Sequence, residues 1–434
     1  MSSTRRSWGV FSAFAIAWNN DSNGSSWQQN RHPFSSTQPM SARRFCRQEP
    51  SDGLPNGRSG GAAQQSSRKR VVIVGGGFAG GTAAMLLQHS FEVTLVDRRP
   101  YFENITAQYR VLSDATMAPR NRLPHHQYAP AVNVEVGGVE QIRQTHVVLD
   151  DKRTIPFDYL VLATGSHCKS LPVLGNSDTS PIPVISLTDG IACEREQQRL
   201  ASVRGGSVVI VGGGASGVEV AAELAEAYPD KTVHFAFSGT APLSGMPEKA
   251  QSVAVKHFSK LCNVRMWPGE RVIGVSSNDG SVVTRSGRTI ADVSSVFLCV
   301  GFQPNTAFIK DEMSTLVDDH GYVKVNQHLQ STEQENIFAI GDVTNVKEAK
   351  LAQNAFRHAS VAARNIMNLE KGTGCLSVYV PEERRVCIML GRSNSVVVGP
   401  TGVNSGWWAA KRKQGFALSA GMLTASARML ASRA

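Results

Sequence analysis

Two glycine clusters have the residue types and spacing that most directly specify chemistry in this chain. Gly75, Gly77 and Gly80 follow the apolar run Val71-Val72-Ile73-Val74 and open a helical stretch from Ala79 to Gln88. Gly212, Gly214 and Gly217 repeat the spacing after Val208-Val209-Ile210-Val211, ahead of a helix from Val218 to Ala227. In such a turn the first glycine makes the tight bend, the second lets a diphosphate approach the backbone, and the third lets the helix pack on its strand. The helix N-terminus then offers unpaired N–H groups and a partial positive charge to the anion. Asp97 closes the strand from Glu92 to Val96, 22 residues beyond Gly75. At that separation a carboxylate accepts the ribose hydroxyls of an adenosine. In the second copy Phe237 takes the place of Asp97, followed by Ser238 and Gly239. With no carboxylate to repel a 2′-phosphate, NADPH is permitted there and NADH is not excluded.

Two such cradles in one chain imply two dinucleotides facing each other, and the pair that makes chemical sense is a flavin, FAD, with a nicotinamide, NAD(P)H. A flavin carries the redox chemistry itself, so the protein must supply position and charge more than a nucleophile. The seven cysteines never fall at C-x-x-C or C-x-x-x-x-C spacing. This excludes an adjacent redox dithiol and a zinc knuckle, so no metal is expected and the thiols read as reduced core residues. His125 and His126 lack companion ligands and read as exposed. Glu219, on the first turn of the second helix, either orients a nicotinamide carboxamide or simply favours the helix N-terminus.

These residues need elements to hold them. Each glycine cluster sits in a β-α-β unit, so the chain carries an internal duplication; the second unit ends in the strand Thr232 to Phe237. Further strands read at 132–136, 146–149, 160–163 and 296–300, a helix at 350–369, and strands again over 376–398. The fold class is therefore α/β: two doubly wound dinucleotide-binding domains plus a small C-terminal α+β region. The expected boundaries are a disordered targeting extension at 1–69, the flavin domain at 70–190 and again at 311–372, the nicotinamide domain at 191–310, and the C-terminal region at 373–434.

The two fingerprints, Ala163-Thr164-Gly165 at a strand end, and the apolar strand leading into Gly341-Asp342 resemble the FAD-dependent pyridine nucleotide oxidoreductases over about residues 70 to 370. Within that group, Phe78 in the first glycine loop, Arg110 after Phe102, the missing second acid, and Lys350-x-Ala352 with His358-Ala359 resemble the apoptosis-inducing-factor-like quinone reductases, also called ferroptosis suppressors. The resemblance implies electron transfer from NAD(P)H through FAD to a quinone-like acceptor. It implies flavin-binding roles for Gly75, Gly77, Phe78, Ala79, Gly80, Asp97, Thr164 and Gly165, a ribityl contact for Asp342, an FAD contact for Arg110 and an adenine-side contact for Val139. Lys350 is implied to lie beside the flavin, where an ammonium would stabilise its reduced anion or a developing quinol oxyanion. Rival readings are electron delivery to an iron-sulfur protein or to monodehydroascorbate, and a cell-death effector. The chain departs from the group in its long basic head and in Asn104 to Tyr109.

Composition fits this organisation. At 434 residues and 41% hydrophobic content the chain is long enough for about three domains. The formal charge of +10 is unevenly spread. Residues 1–70 hold ten Lys/Arg against three acids, residues 71–383 hold 27 against 32, and residues 384–434 hold eight against none. A basic head and tail on a mildly acidic middle argue against a nucleic-acid partner. The head has Arg5 and Arg6 before an apolar run, as a signal peptide does, and an Arg- and Ser-rich continuation, as transit peptides do. Organelle import is the expectation, with the mitochondrion ahead of plastid or cytoplasm. The tail mixes Trp407, Trp408, Phe416, Leu418, Met422, Leu423, Met429 and Leu430 with Lys411, Arg412, Lys413, Arg428 and Arg433. It resembles an anchor at a membrane surface; the alternatives are a docking helix that closes the third domain and a homodimer seam.

Overall fold

The computed structural model describes residues 68–383, 385–416 and 419–431. Most of the expected targeting extension, together with Leu418 and Arg433 of the tail, lies outside the described residues. Along the chain run β1 (Arg70–Val74), α1 (Phe78–Leu87), β2 (Glu92–Asp97), α2 (Gln108–Val111), β3 (Asn133–Val136), β4 (Tyr159–Leu162), β5 (Ser166–Cys168), β6 (Val184–Ser186) and β7 (Ser207–Val211). Next come α3 (Ala215–Ala227), β8 (Thr232–Phe237), β9 (Val264–Pro268), β10 (Val293–Leu298), β11 (Phe302–Pro304), β12 (Ile337–Ala339) and α4 (Ala352–Glu370). The chain closes with β13 (Val386–Leu390), β14 (Asn394–Gly399), β15 (Gly402–Ser405), α5 (Trp407–Phe416) and α6 (Gly421–Ala431), with shorter pieces between.

Two five-stranded sheets carry the duplication. The first has the order β12-β4-β1-β2-β3 and the second β6-β10-β7-β8-β9, and all neighbours in both are parallel. Each central strand is apolar throughout because both faces are covered. Val71 and Ile73 enter one core with α1 and α4, whereas Val72 and Val74 enter another with Ile142, Val147 and Leu149. In the second sheet Val208 and Ile210 face the core shared with α3, and Val209 and Val211 face the opposite one. Both glycine turns directly follow these central strands and so lie at the C-terminal edge of a parallel sheet, where doubly wound folds bind ligands.

The second unit starts before residue 191. β6 pairs with β10, and residues 173–174 pair with 275–276. These pieces are two or three residues long, too short for a period to register in the sequence. The antiparallel ribbon β5–β11 links the two units. The strand expected from Leu376 begins only at Val386; ahead of it Tyr379 is buried against α4. β13, β14 and β15 form an antiparallel meander that shares a core with α3 through Ile388 and Leu390. α6 docks on α1: Leu423 and Met422 are buried, and a Cβ on Gly81 would lie 3.2 Å from Leu423. That part of the tail closes the core, so Met422 and Leu423 are not available to a membrane.

Candidate functional site

The two glycine turns are built alike. Gly75 has φ +101° and Gly212 φ +114°, left-handed values that a side chain would strain. The Gly75 N–H donates to Val96 O, and the Gly212 N–H to Ala236 O, each at 2.8 Å. A Cβ on Gly80 would overlap the Gly75 carbonyl oxygen, and one on Gly217 the Gly212 carbonyl oxygen. The third glycine therefore lets each helix start against its own turn. A Cβ on Gly77 or Gly214 would meet nothing within 4 Å. The protein leaves the space before both helix N-termini open, which is the cradle a diphosphate requires. The residues present fit FAD at the first turn and a nicotinamide dinucleotide at the second.

Asp97 accepts from the Gly76 N–H and, at 2.8 Å, from the Arg99 N–H. Behind it His125 is fully buried, contrary to the exposed position expected for it. Its Nε2 donates to Arg99 O at 2.9 Å and its Nδ1 accepts from the Tyr128 hydroxyl at 2.7 Å. Burial pushes the His125 pKa down while Asp97 opposes the shift. The sequence missed this support because its partners replace the metal ligands that were sought. In the second copy a Cβ on Gly213 would lie 2.8 Å from Phe237 Cβ, so Phe237 does stand where Asp97 stands in the first. Val139 begins a strand two residues after Gly137, whose N–H donates to Asp97 O at 2.9 Å, and packs against the core that holds Val72, Val74 and Val96.

The late chain returns to the first cradle. Gly341, at φ +75°, brings its α-carbon so close to the start of α1 that a Cβ would lie 3.1 Å from Ala79 Cβ. Asp342 accepts from Ser166 Oγ at 3.2 Å. Ser166 follows Thr164 and Gly165 in the crossing between units, where Thr164 Oγ1 donates to Asn305 O at 2.7 Å and Asn305 Nδ2 donates to Thr164 O at 2.8 Å. Phe78 and Ala79 are core residues at this junction; Phe78 packs edge-on against Phe102 and Phe356. His358 Nδ1 accepts the Gly341 N–H at 3.0 Å, its Nε2 lies 2.8 Å from Glu348, and the Tyr379 hydroxyl donates to Glu348 at 2.8 Å. The sequence reading missed Glu348 and Tyr379, which no spacing connects.

Lys350 sits beside Asp342. Its ammonium donates to Thr344 O at 2.6 Å and to Val346 O at 3.3 Å, and lies 5.1 Å from the Tyr322 ring centre. Burial lowers its pKa, opposed by Asp342 and Glu348. Burial likewise raises the Asp342 carboxyl, opposed by Lys350. Arg110 and Glu219 have other partners. Arg110 pairs with Glu223 of α3 at 2.8 Å, both buried. Glu219 accepts from the Met389 N–H at 3.0 Å and from the Lys413 ammonium, which also donates to Cys387 O at 2.7 Å. The Glu219 carboxylate thus ties α3 to β13 and α5, a role that neither sequence reading anticipated.

The pyridine nucleotide-disulphide oxidoreductase family model matches residues 69–362. The chain belongs to this family. It is therefore an FAD-dependent oxidoreductase that uses NAD(P)H. Apoptosis-inducing factor homolog A of Dictyostelium discoideum is 31% identical over 67% of this chain and 74% of its own length. Ferroptosis suppressor protein 1 of Taeniopygia guttata is 32% identical over 73% of this chain and 84% of its own. Among solved structures, the sulfide:quinone oxidoreductase of Aquifex aeolicus superposes with a TM-score of 0.66 at 20% identity, covering 80% of this chain and 90% of that one. This last likeness supports the two-domain fold. The family name includes dithiol enzymes, but Cys168, Cys193, Cys262, Cys299 and Cys375 are free thiols, and burial raises the thiol pKa of Cys168, Cys193 and Cys299.

Proposed function

We propose that this protein passes electrons from NAD(P)H through FAD to a quinone-like acceptor. The observation that carries the reading is the pair of open glycine cradles with Asp342 and Lys350 beside the first. Bound FAD supplies the redox chemistry, taking a hydride from the nicotinamide and handing electrons onward. Gly75, Gly77 and Gly80 hold its diphosphate, Asp97 its adenosine ribose and Asp342 its ribityl hydroxyls. Val139 flanks the adenine, and Thr164 and Gly165 shape the crossing beside the ring. Gly212, Gly214 and Gly217 hold the nicotinamide dinucleotide, and Glu219 fixes the wall of that site. Lys350 presents positive charge where the acceptor's oxygen becomes negative, and the low-dielectric setting strengthens the attraction between the two. A quinone acceptor is supported by one similar structure, which is a sulfide:quinone oxidoreductase.

The test is anaerobic. The purified protein is yellow, is bleached by NADPH or NADH, and in a panel of acceptors is reoxidised fastest by quinones. Faster reoxidation by monodehydroascorbate or an iron-sulfur protein would reassign the acceptor.

Peripheral membrane contact belongs to the same reading. No described helix is long and apolar enough to cross a bilayer. α5 does expose Trp407 and Trp408, 48% and 74% accessible, with the Lys411 ammonium 4.6 Å from the Trp407 ring. Aromatic rings beside a cation suit the headgroup layer. Replacing both tryptophans with Ser is expected to lower partition into anionic vesicles about tenfold while leaving turnover of a short-chain quinone intact; unchanged vesicle binding would exclude α5. Import into an organelle by residues 1–69 completes the proposal, and a fluorescent fusion lacking them is expected to stay in the cytosol.

A further inference from the structure

Outside the two cradles, a cavity of about 320 Å³ lies where α2, residues 114–120, the β13–β14 turn and the end of α5 meet. Arg110, Asp114, Met117, Arg120, Arg392 and Gln414 line it. Met117 is the one apolar residue among these six, which suits an ion better than an acyl chain or a ring. The Arg110 side chain is 7% exposed. Its Nη1 is taken by Glu223, but Nε and Nη2 are buried without a partner. Buried guanidinium N–H groups left unpaired are costly, and an acceptor in the cavity would reach them with a shift of the Arg110 side chain.

The charges already present do not cancel. Glu223 is the buried acid of the group: it takes Arg110 and the Ser113 hydroxyl, and Arg392 Nε lies 3.6 Å away. Burial pushes the Glu223 carboxyl up, the direction in which an incoming anion would also drive it. Asp114 accepts from the Thr116 N–H at 3.0 Å and the Thr116 hydroxyl at 2.7 Å. Three guanidinium groups thus face two carboxylates, Glu223, which pairs with Arg110 and Arg392, and Asp114, which accepts from Thr116, leaving one positive charge in excess. A planar carboxylate ligand is satisfied by one guanidinium fork, whereas forks from three separate elements match the oxygens of a tetrahedral oxyanion.

We propose that this cavity is a phosphate-binding site, held by Arg110, Arg120 and Arg392. The phosphate belongs either to free phosphate or a soluble phosphoester, or to a lipid headgroup. On α5, Trp407, Lys411 and Gln414 fall at i, i+4 and i+7, so one helix face runs from the exposed tryptophans to the cavity. A phosphate held there would join the first unit to the C-terminal region.

Titration of the FAD-loaded full chain with inorganic phosphate, followed by calorimetry at constant ionic strength with acetate as the control anion, tests the site. Saturable binding of phosphate but not acetate is expected, weakened at least about tenfold in the double variant Arg120→Gln/Arg392→Gln, with partial recovery in Arg120→Lys/Arg392→Lys. Phosphatidylcholine vesicles with and without phosphatidic acid identify the source. Binding that needs phosphatidic acid, is competed by inorganic phosphate and is lost in the Gln double variant assigns the lipid headgroup. Phosphate binding without such competition assigns the soluble ion. Wild-type protein that does not distinguish phosphate from acetate, or a Gln double variant that binds phosphate like wild type, would overturn the proposal. So would loss of FAD from that variant, because the arginines would then serve the flavin. NAD(P)H oxidation measured on the same samples reports on the redox reading separately.

Discussion

Gly77→Val is expected to fold and to purify colourless. Gly77 has φ −73° and ψ −160° as the residue before α1, an extended conformation that valine adopts freely. Nothing of the protein lies within 4 Å of its would-be Cβ. The substitution therefore leaves the apoprotein within roughly 0.5 kcal/mol of wild-type apoprotein. It fills only the space left for the diphosphate, and flavin content is expected to fall at least about tenfold, measured as the 450 nm absorbance per chain after desalting. Comparison with wild-type apoprotein matters because bound FAD itself stabilises the fold. Gly80→Ala behaves differently: its methyl would overlap the Gly75 carbonyl, so it is expected to unfold at lower denaturant by about 1–3 kcal/mol whether or not flavin is present. Gly214→Val places the same bulk in the second cradle and is expected to stay yellow while NAD(P)H no longer bleaches it. Full flavin in Gly77→Val, or flavin loss from Gly214→Val equal to that from Gly77→Val, would contradict the assignment of the two cradles.

Those glycines were legible because the requirement is local. A left-handed φ at Gly75 and a helix started against its own turn at Gly80 restrict the residue type whatever the rest of the chain does. The central strands were legible for a similar reason: burial on both faces leaves an unbroken apolar run, as in Val71–Val74 and Val208–Val211. What stayed hidden depends on partners far apart in sequence. Arg110 meets Glu223 across 113 residues, and Glu219 meets Lys413 across 194; neither partner can be picked out by type or spacing. His125 has the look of a surface histidine until Tyr128 and Arg99 close around it. The tail divides for the same reason. Its composition is that of an interfacial segment throughout, but α6 finds a groove against α1 and buries Leu423, whereas α5 keeps Trp408 in solvent. Composition fixes what a segment can do, and the available neighbouring surface decides which part does it.

Lys350→Met is expected to slow the acceptor half-reaction about a hundredfold for every quinone while flavin content and the rate of bleaching by NAD(P)H stay near wild type. The size follows from removing one preorganised charge at a site of developing negative charge. The pH dependence gives a second, independent signature. Burial disfavours the ammonium of Lys350, and Asp342 and Glu348 recover part of that loss, so its folded pKa lies below that of a free lysine. If the ammonium is the working form, the acceptor half-reaction of the wild type is full at low pH. It falls as pH rises through this lowered pKa, before an exposed lysine at about 10.4 would titrate. In the same window the unfolded chain binds the proton more tightly than the folded one, so stability rises while the rate falls. Structural loss of the site would move both downward together. Lys350→Arg carries a charge that does not titrate in this range and is expected to keep a measurable rate and lose the alkaline limb. Stopped-flow reoxidation of prereduced enzyme across about pH 6 to 10 checks all three forms. A wild-type profile matched by Lys350→Met would leave Lys350 with a purely architectural part, bracing the Thr344 and Val346 carbonyls behind Asp342.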